Sequence, residues 1–304
     1  MNSYTSNSKR FCIAFILIFM VGNILFVIGS EFIVRTVAMP KSQFDALRER
    51  LHSSQHAYGA FADSRGANGL LPFNDFDNFS MGGDNLLTVL EKAKFFNRLG
   101  TTKGVIIQAD PHHFANYRLN RDQSSLQDDL LKRKTYWLQF LRPVHRQYLL
   151  EYWQSYILAA FSATESPDSS ATHVMARISD QPPAQVKKDA SIRAQLQIPI
   201  KMFERTQYAK DYSATVQELV SDNIKVCLVS FPVSDAYRAI SETEPNYRAA
   251  FSFFKTLAKH SGAKYFDFSS KLPDKMFTDP DHLNEEGAQA LTNIVLNNCF
   301  GITP

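Results

Sequence analysis

The sequence predicts a three-layer α/β fold, in which helices enclose a central parallel sheet of about five strands, preceded by one N-terminal transmembrane helix. Three observations predict it: an apolar run near the N-terminus, short continuously apolar segments after residue 56, and amphipathic segments that alternate with them. Strands that alternate with helices form βαβ units, whose strands run parallel. The 304 residues are 44% hydrophobic and 21% charged, which is typical of a globular chain rather than a disordered one.

The apolar run covers residues 11–29 and reads FCIAFILIFMVGNILFVIG, in which Asn23 is the one strongly polar side chain. A helix of this length spans roughly 28 Å, close to the hydrocarbon core of a bilayer. Lys9 and Arg10 precede the run. The positive-inside rule therefore predicts that residues 1–10 are cytoplasmic and that the rest of the chain is periplasmic, outside the cytoplasmic (inner) membrane. We expect an uncleaved signal anchor, with a cleaved signal peptide as the alternative.

The remaining elements follow in order. Residues 30–55 are expected to form a linker helix, with Phe44, Leu47 and Leu51 at helical spacing. A globular domain is expected over 56–304. Its predicted strands lie at 56–63, 76–81, 103–110, 224–233 and 263–269. Its predicted helices lie at 85–99, 213–222, 247–262 and 284–298.

One block interrupts the alternation, and we interpret residues from about 111 to 205 as an insertion between two strands. Residues 121–162 are strongly helical and rich in aromatic residues, whereas residues 163–190 are polar and contain three prolines. A packed helical cap is one interpretation. A lid, or a surface that docks a membrane partner, is the other.

Cysteine spacing and charge argue against several classes of protein. Cys12, Cys227 and Cys299 show no spacing typical of zinc ligands, so we expect no structural zinc and no cofactor. Whether Cys227 and Cys299 form a disulfide stays open. The net charge is +3 without a long Lys/Arg run, so we expect no nucleic-acid partner. Arg118 and the basic residues that follow it are interpreted as a solvated helix face.

The first candidate for chemistry is the stretch Phe61-Ala62-Asp63-Ser64-Arg65-Gly66, written FADSRG. An apolar strand runs here into a turn of small residues that presents a serine. In parallel sheets such turns lie at the carboxyl edge, where α/β folds place their sites, and they aim backbone N–H groups at the same point. Taken alone, Ser64 is better explained as a helix N-cap.

The second candidate is the stretch DPDHLNEEGA, which begins at Asp279. An Asp three residues before a His can orient the imidazole from one loop, so that the other ring nitrogen faces a nucleophile. A serine hydroxyl needs such a base. The two stretches together, at opposite ends of an alternating α/β pattern, therefore favour a Ser64–His282–Asp279 triad.

These stretches resemble the ordered sequence blocks of SGNH/GDSL hydrolases, whose fold is flavodoxin-like. ADSRG resembles the family's Gly-Asp-Ser block, NFSMGGDN the second block, the strand ending in QADPHH the third, and DPDHLNEEGA the terminal Asp-x-x-His block. The resemblance covers about residues 56–300 without the insertion. It implies a serine hydrolase with Ser64 as nucleophile, His282 as base and Asp279 as its orienting acid.

The resemblance also implies an oxyanion hole. Its donors would be the backbone of Ser64 and of a glycine in the second block, Gly83, with Gly82 as the neighbouring choice. The chain departs from the family pattern at Ala62, and in the third block, where an asparagine is usual. Gln108 or a backbone N–H is expected to substitute as the donor, since an ionised Asp110 would repel the developing charge.

Four further residues are expected to contact substrate. Arg65 is positioned to hold an anionic group, Asn78 belongs to the second block, and His112 and His113 are interpreted as lining the cleft. Together with Asp110 the two histidines also suggest a divalent-metal hydrolase. Because adjacent histidines cannot both face one ion from a regular element, we expect no metal.

An N-terminal anchor narrows the resemblance to anchored SGNH-like proteins that modify cell-surface polymers, such as the D-alanine transfer protein of teichoic acids and polysaccharide O-acetyltransferases. It implies an esterase or O-acyltransferase of cell-envelope or exported polysaccharide, with an acyl donor, a polysaccharide acceptor and, by analogy, a membrane-bound O-acyltransferase partner. Two alternatives stay open: a metal-dependent hydrolase, and a catalytically silent assembly protein that binds such a partner.

Overall fold

The computed structural model describes residues 4–38, 42–120, 122–132, 137–142, 144–146, 149–150, 153–154 and 177–303. Much of the predicted aromatic helix and the first part of the predicted polar loop, 163–176, lie outside the described residues. The chain divides into two units. Unit 1 comprises Met1–Arg48 and Asp128–Ser170, and unit 2 comprises Glu49–Gln127 and Ala171–Pro304.

Unit 1 begins with a long apolar helix, α1 (Tyr4–Ile33), which widens into a π-helical turn at Val34–Ala38. Within the stretch Arg10–Val37, the most apolar window of 18 residues has a mean hydropathy of 2.9, and none of that window is buried. At 1.5 Å per residue the stretch reaches about 40 Å, so it is long and apolar enough to cross a membrane. The helix extends beyond the predicted bounds of 11–29 at both ends.

Buried ion pairs hold unit 1 together beyond this helix. Arg142 donates to Asp129 at 3.0 Å and to Asp45 at 2.6 Å, and His145 lies 3.1 Å from Asp45. Glu31, near the end of α1, accepts a hydrogen bond from the backbone N–H of Phe140 at 3.2 Å. Part of the predicted insertion thus packs against the exit of the apolar helix. The same segment carries Trp137, which is 91% exposed.

Unit 2 is built on a parallel sheet. Five strands pair in the order β2-β1-β3-β4-β5, all parallel, so the predicted α/β class and strand number are confirmed for the described residues. The sheet strands are β1 (Tyr58–Phe61), β2 (Phe76–Asn78), β3 (Gly104–Gln108), β4 (Lys225–Ser230) and β5 (Lys264–Asp267). Two short strands, β6 (Phe277–Asp279) and β7 (His282–Leu283), form a separate antiparallel pair.

Several of the helices that follow α1 begin at side-chain caps. Asn85, Thr206 and Asn284 each accept a hydrogen bond from a backbone N–H in the first turn of the helix they precede. The helices are α2 (Gln43–Ser53), α3 (Ser64–Gly69), α4 (Leu86–Asn97), α5 (Asn116–Leu119), α6 (Ser124–Lys132), α7 (Pro183–Leu196), α8 (Gln207–Ser221), α9 (Asp235–Ser241), α10 (Pro245–Ser261) and α11 (Glu285–Phe300).

A disulfide joins Cys227 on β4 to Cys299 on α11, with the two Cα atoms 5.7 Å apart. It closes a loop with a sequence separation of 72 residues, and the chain-entropy model gives such a loop about 4 kcal/mol of stabilisation. The question that the sequence left open is thus answered, while Cys12 is a free, exposed cysteine. The bridge fixes the last helix to an interior strand of the sheet, in the same buried cluster as Ile106 and Val295.

Candidate active site

Ser64 is the first residue of α3, directly beyond the carboxyl end of β1. Asp63 caps this helix, because its Oδ1 accepts the N–H of Arg65 at 3.0 Å. A Cβ at Gly66 would lie 2.3 Å from the Cβ of Ala62 and 2.7 Å from Ser80 Oγ, so no other residue fits there. The tight turn that presents Ser64 therefore depends on the glycine of the ADSRG stretch.

The side chains of the predicted triad form one hydrogen-bonded chain. Ser64 Oγ lies 2.8 Å from His282 Nε2, and His282 Nδ1 lies 2.7 Å from Asp279 Oδ2. The other oxygen of Asp279 accepts the backbone N–H groups of Asp281 and His282 at 3.0 and 2.9 Å. The carboxylate is thus fixed by its own loop, and it holds the ring with Nδ1 protonated and Nε2 facing the serine.

The surroundings of His282 stabilise the positively charged form of its imidazole. Burial lowers the pKa of this imidazole, but the hydrogen bond to Asp279 and the charges of Asp281 and Asp279 outweigh burial and raise it. The ring is 14% exposed and the Asp279 side chain is 47% exposed, so both border open space. Such an imidazole can accept the proton of a hydroxyl that attacks an electrophile.

A second carboxylate, Asp281, lies directly behind the triad. Its Oδ1 is 3.5 Å from His282 Nδ1, and its Oδ2 accepts hydrogen bonds from Arg65 at 3.1 Å and from Gln197 at 2.9 Å. Arg193 donates its Nε–H to both oxygens. Burial raises the pKa of Asp281, but the neighbouring positive charges outweigh it and hold the pKa well below its usual value. Asp281 is therefore a permanent anion that stabilises the charged form of His282.

Two backbone N–H groups near Ser64 are candidates for the donors of an oxyanion hole. Ser64 opens α3, so its N–H has no partner within the helix. Gly82 is exposed, and a Cβ placed on it would lie 3.8 Å from the Cβ of Ser64. Gly83, the residue expected for this role, has a φ of +85° and a carbonyl that accepts from Gln123 at 2.8 Å. Gly82, the neighbouring choice, is therefore the glycine with a demonstrated position beside Ser64.

The expected role of Gln108 as oxyanion donor does not fit the structure. Its amide oxygen accepts the N–H of Asp63 at 2.8 Å and lies 2.9 Å from His113 Nε2. Its amide nitrogen donates to Asp63 Oδ1 at 3.0 Å and to Asp110 Oδ2 at 2.6 Å. The side chain is fully buried and both N–H bonds are used. Gln108 instead links β1 to β3 beneath the nucleophile.

The two adjacent histidines belong to the same buried layer. His112 Nε2 lies 2.8 Å from Asp63 Oδ2, and Arg118 Nη2 donates to that oxygen at 2.5 Å. Burial and the charge of Arg65 lower the pKa of His112 to about 4, so its ring is neutral at pH 7. His112 and His113 are almost completely buried, which corrects the expectation that they line the cleft. Arg118 is likewise buried and is not on a solvated face.

Asn78 and Arg65 also use their side chains for contacts within the protein. Asn78 Nδ2 donates to the carbonyls of Gly66 and Leu70 at 2.8 and 2.7 Å, and its oxygen accepts the N–H of Ser80. Arg65 is 4% exposed, and its guanidinium is enclosed by Asp281, Tyr237 and Asp110. Both side chains position the serine turn, so the expectation of direct substrate contact is corrected.

A metal ion fits this site poorly. Asp279, Asp281 and His282 bring three potential ligand atoms within 4.8 Å of one another. However, Asp281 is already neutralised by the guanidinium groups of Arg65 and Arg193. A divalent cation would have to approach these two positive charges and displace their hydrogen bonds, which argues against metal binding.

No model of a known protein family matches this sequence, and a comparison with curated proteins gave no match. The geometry of the site therefore carries the functional argument. Sequence reasoning brought Ser64, His282 and Asp279 together, but it missed Asp281, Arg193 and Gln197. The one signal for Asp281 was its place within the Asp-Pro-Asp-His run, between the two residues that were chosen.

Proposed function

We propose that the chain is an extracytoplasmic serine esterase or O-acyltransferase that acts on cell-envelope or exported polysaccharide. The observation that supports this most directly is the hydrogen-bonded chain from Ser64 through His282 to Asp279. The strand order β2-β1-β3-β4-β5 is that of flavodoxin-like doubly wound sheets. It supports assignment to a three-layer α/β/α fold of the SGNH type.

The proposed reaction proceeds through an acyl-enzyme. His282 Nε2 takes the proton of Ser64 as Oγ bonds to the carbonyl carbon of an ester, and the π electrons move onto the carbonyl oxygen. The N–H groups of Ser64 and Gly82 stabilise this oxyanion. When the carbonyl re-forms, the bond to the leaving alkoxide breaks, and that oxygen takes the proton from His282.

The second half of the reaction repeats these steps with a new nucleophile. Water or a sugar hydroxyl gives its proton to His282 and attacks the acyl carbon, and Ser64 Oγ leaves and recovers the proton. Water gives hydrolysis, and the sugar hydroxyl gives transfer. Asp279 and Asp281 stabilise the charged imidazolium in both halves. Residues that exclude water from the cleft decide between the two outcomes.

Two features support a location outside the cytoplasm. The Cys227–Cys299 disulfide suits an oxidising compartment. The basic residues Lys9 and Arg10 stand before the apolar helix, as they do in single-pass proteins whose N-terminus is cytoplasmic. An acyl donor, a polysaccharide acceptor and a membrane-bound O-acyltransferase partner complete the proposal by analogy with the family that the sequence resembles.

The decisive experiment compares wild type with Ser64→Ala in the full-length, detergent-solubilised chain. We expect labelling of wild type by a fluorophosphonate probe, and a loss of roughly 1000-fold or more in turnover of 4-nitrophenyl acetate in the variant. Ser179→Ala is the matched control, because Ser179 is exposed and its hydroxyl contacts only Asp180 among the described residues. Turnover that survives in Ser64→Ala, or that a chelator abolishes, would overturn the proposal. Wild-type protein that neither labels nor turns over would favour the silent assembly protein.

A further inference from the structure

Both tryptophans of the chain lie in unit 1, beside the C-terminal part of α1. Trp153 stacks on Phe26, with ring centroids 6.0 Å apart. The backbone carbonyl of Trp137 accepts a hydrogen bond from Arg35 at 3.5 Å. Because an α-helix rises about 1.5 Å per residue, these two contacts are about 14 Å apart along α1. The two tryptophans therefore meet the apolar helix at two different heights.

The charged residues of α1 indicate where the hydrocarbon core of a bilayer would begin and end. The sequence has no Asp, Glu, Lys or Arg between Arg10 and Glu31. The residues between them span about 30 Å as a helix, which equals the thickness of a hydrocarbon core. Trp153, at the height of Phe26, then lies on the hydrocarbon side of the boundary at Glu31. Trp137 contacts α1 one turn beyond that boundary, at the height of the headgroups.

Trp137 is unusually exposed for a tryptophan, a residue that is highly buried on average in soluble proteins. It is 91% exposed, and Leu141, four residues later, is 46% exposed. The segment is held in place, because the next residue, Arg142, forms the buried ion pairs with Asp45 and Asp129. Membrane–water interfaces are rich in tryptophan, whose ring packs among lipid chains while its N–H meets the polar layer.

Two arginines border these apolar side chains. Arg35 donates to the carbonyl of Trp137, and Arg146 donates to the carbonyl of Leu141 at 3.1 Å. Both arginines are exposed. Apolar side chains with cations at their edge match the chemistry of a phospholipid surface, where lipid chains lie beneath a layer of phosphates.

We propose that Trp137, Leu141 and Trp153 form an interfacial patch, which inserts into the lipid leaflet around the C-terminal end of α1. The occupant is lipid, because the patch adjoins a helix whose most apolar window is not buried at all and itself requires a bilayer. Unit 1 is then held by the membrane surface as well as by the span. The proposal goes beyond the proposed chemistry and rests only on the proposed membrane location of α1.

The depth of each tryptophan in a bilayer tests the patch. Full-length Trp153→Phe protein leaves Trp137 as the single reporter, and Trp137→Phe leaves Trp153. Phenylalanine keeps an aromatic ring at each position, so the packing on α1 is retained. The proteins are reconstituted in phosphatidylcholine vesicles that carry a nitroxide quencher either near the headgroup or near the bilayer centre. We expect the shallow label to quench Trp137 about twofold more than the deep label does, and the deep label to quench Trp153 more than Trp137.

The matched control places a reporter in the span itself. Met20→Trp is made in a background that lacks both native tryptophans, since Met20 is exposed and lies midway between Arg10 and Glu31. The deep label should quench this reporter most strongly. Water-soluble acrylamide supplies the opposite scale, and it should quench Trp137 in vesicles less than it quenches free N-acetyltryptophanamide.

Three results would overturn the patch while Met20→Trp still reports a spanning helix. Quenching of Trp137 by acrylamide and not by lipid labels would place it in water. Protection from both quenchers would show that protein covers it. A Trp153 no deeper than Trp137 would contradict the order of heights along α1. If Met20→Trp also escapes the deep label, the membrane location fails and the patch fails with it. None of these measurements depends on turnover, so the esterase proposal stands or falls separately.

Discussion

The two units each bury a cluster of carboxylate, guanidinium and imidazole groups, yet the clusters differ in what they reach. In unit 1, Arg142 joins Asp45 and Asp129, and His145 completes the set. In unit 2, Asp63 joins His112, Arg118 and Gln108, but it also caps the helix that carries Ser64. Buried, paired charge is common to both. The difference is that the second cluster is connected by one residue to a partly exposed nucleophile.

Substitutions that break either cluster should therefore destabilise the protein to a similar extent, but they should differ in their effect on ester turnover. Asp63→Ala and Arg142→Ala each leave buried charges without partners, at a cost of about 3–5 kcal/mol. We expect Asp63→Ala also to reduce ester turnover strongly, because α3 loses its cap and the serine turn loses its support. Arg142→Ala should retain turnover per folded molecule.

Denaturant titrations followed by circular dichroism, together with turnover under native conditions, measure the two effects. Both tryptophans, Trp137 and Trp153, lie in unit 1, so their fluorescence reports on the cluster around Arg142. Full turnover in folded Asp63→Ala protein would show that the cluster beneath Ser64 is structural only.

The disulfide offers a smaller perturbation, confined to unit 2. Cys227→Ser with Cys299→Ser is expected to lower the free energy of unfolding by about 2–4 kcal/mol, since the unfolded chain regains the entropy of the closed loop. Circular dichroism should record the loss, with little change in tryptophan fluorescence of the native state. The Cys12→Ser variant is the control, because that cysteine is free. A double variant as stable as wild type would contradict this account.

The smallest expected effect is a shift in the pH dependence of kcat/KM. His282 must be neutral to accept a proton, and its pKa is raised by Asp279 and Asp281, so kcat/KM should fall as the pH drops through that raised pKa. Asp281→Asn removes one of the charges that favour the imidazolium, so the acidic limb should move to lower pH. An unmoved limb would mean that Asp281 does not act on His282. Asp235→Asn, an exposed carboxylate on α9, is the control.

The sequence was informative where chemistry is local. Asp279 and His282 stand three residues apart in one loop, and Ser64 follows a strand, so short-range patterns identified all three. Five strands and the main helices were predicted for the same reason, since periodicity is a local property.

Burial of polar side chains could not be predicted in this way. Arg65 and Asp281 are 216 residues apart, and Gln108 meets Asp63 across 45 residues. Whether a polar residue faces a cleft or a buried partner depends on such distant contacts. Arg65, Asn78, His112 and His113 were therefore assigned to substrate, although each supports the serine turn from below or behind.

The amide of Gln108 has a consequence for motion at the nucleophile. It holds the N–H of Asp63, so that proton is shielded from solvent until β1 separates from β3. The residue before Ser64 should consequently exchange its amide hydrogen for deuterium as slowly as the core of the sheet, although the serine itself borders open space. The reacting hydroxyl thus follows directly on a residue that is hydrogen-bonded to the centre of the sheet, which should restrain its position.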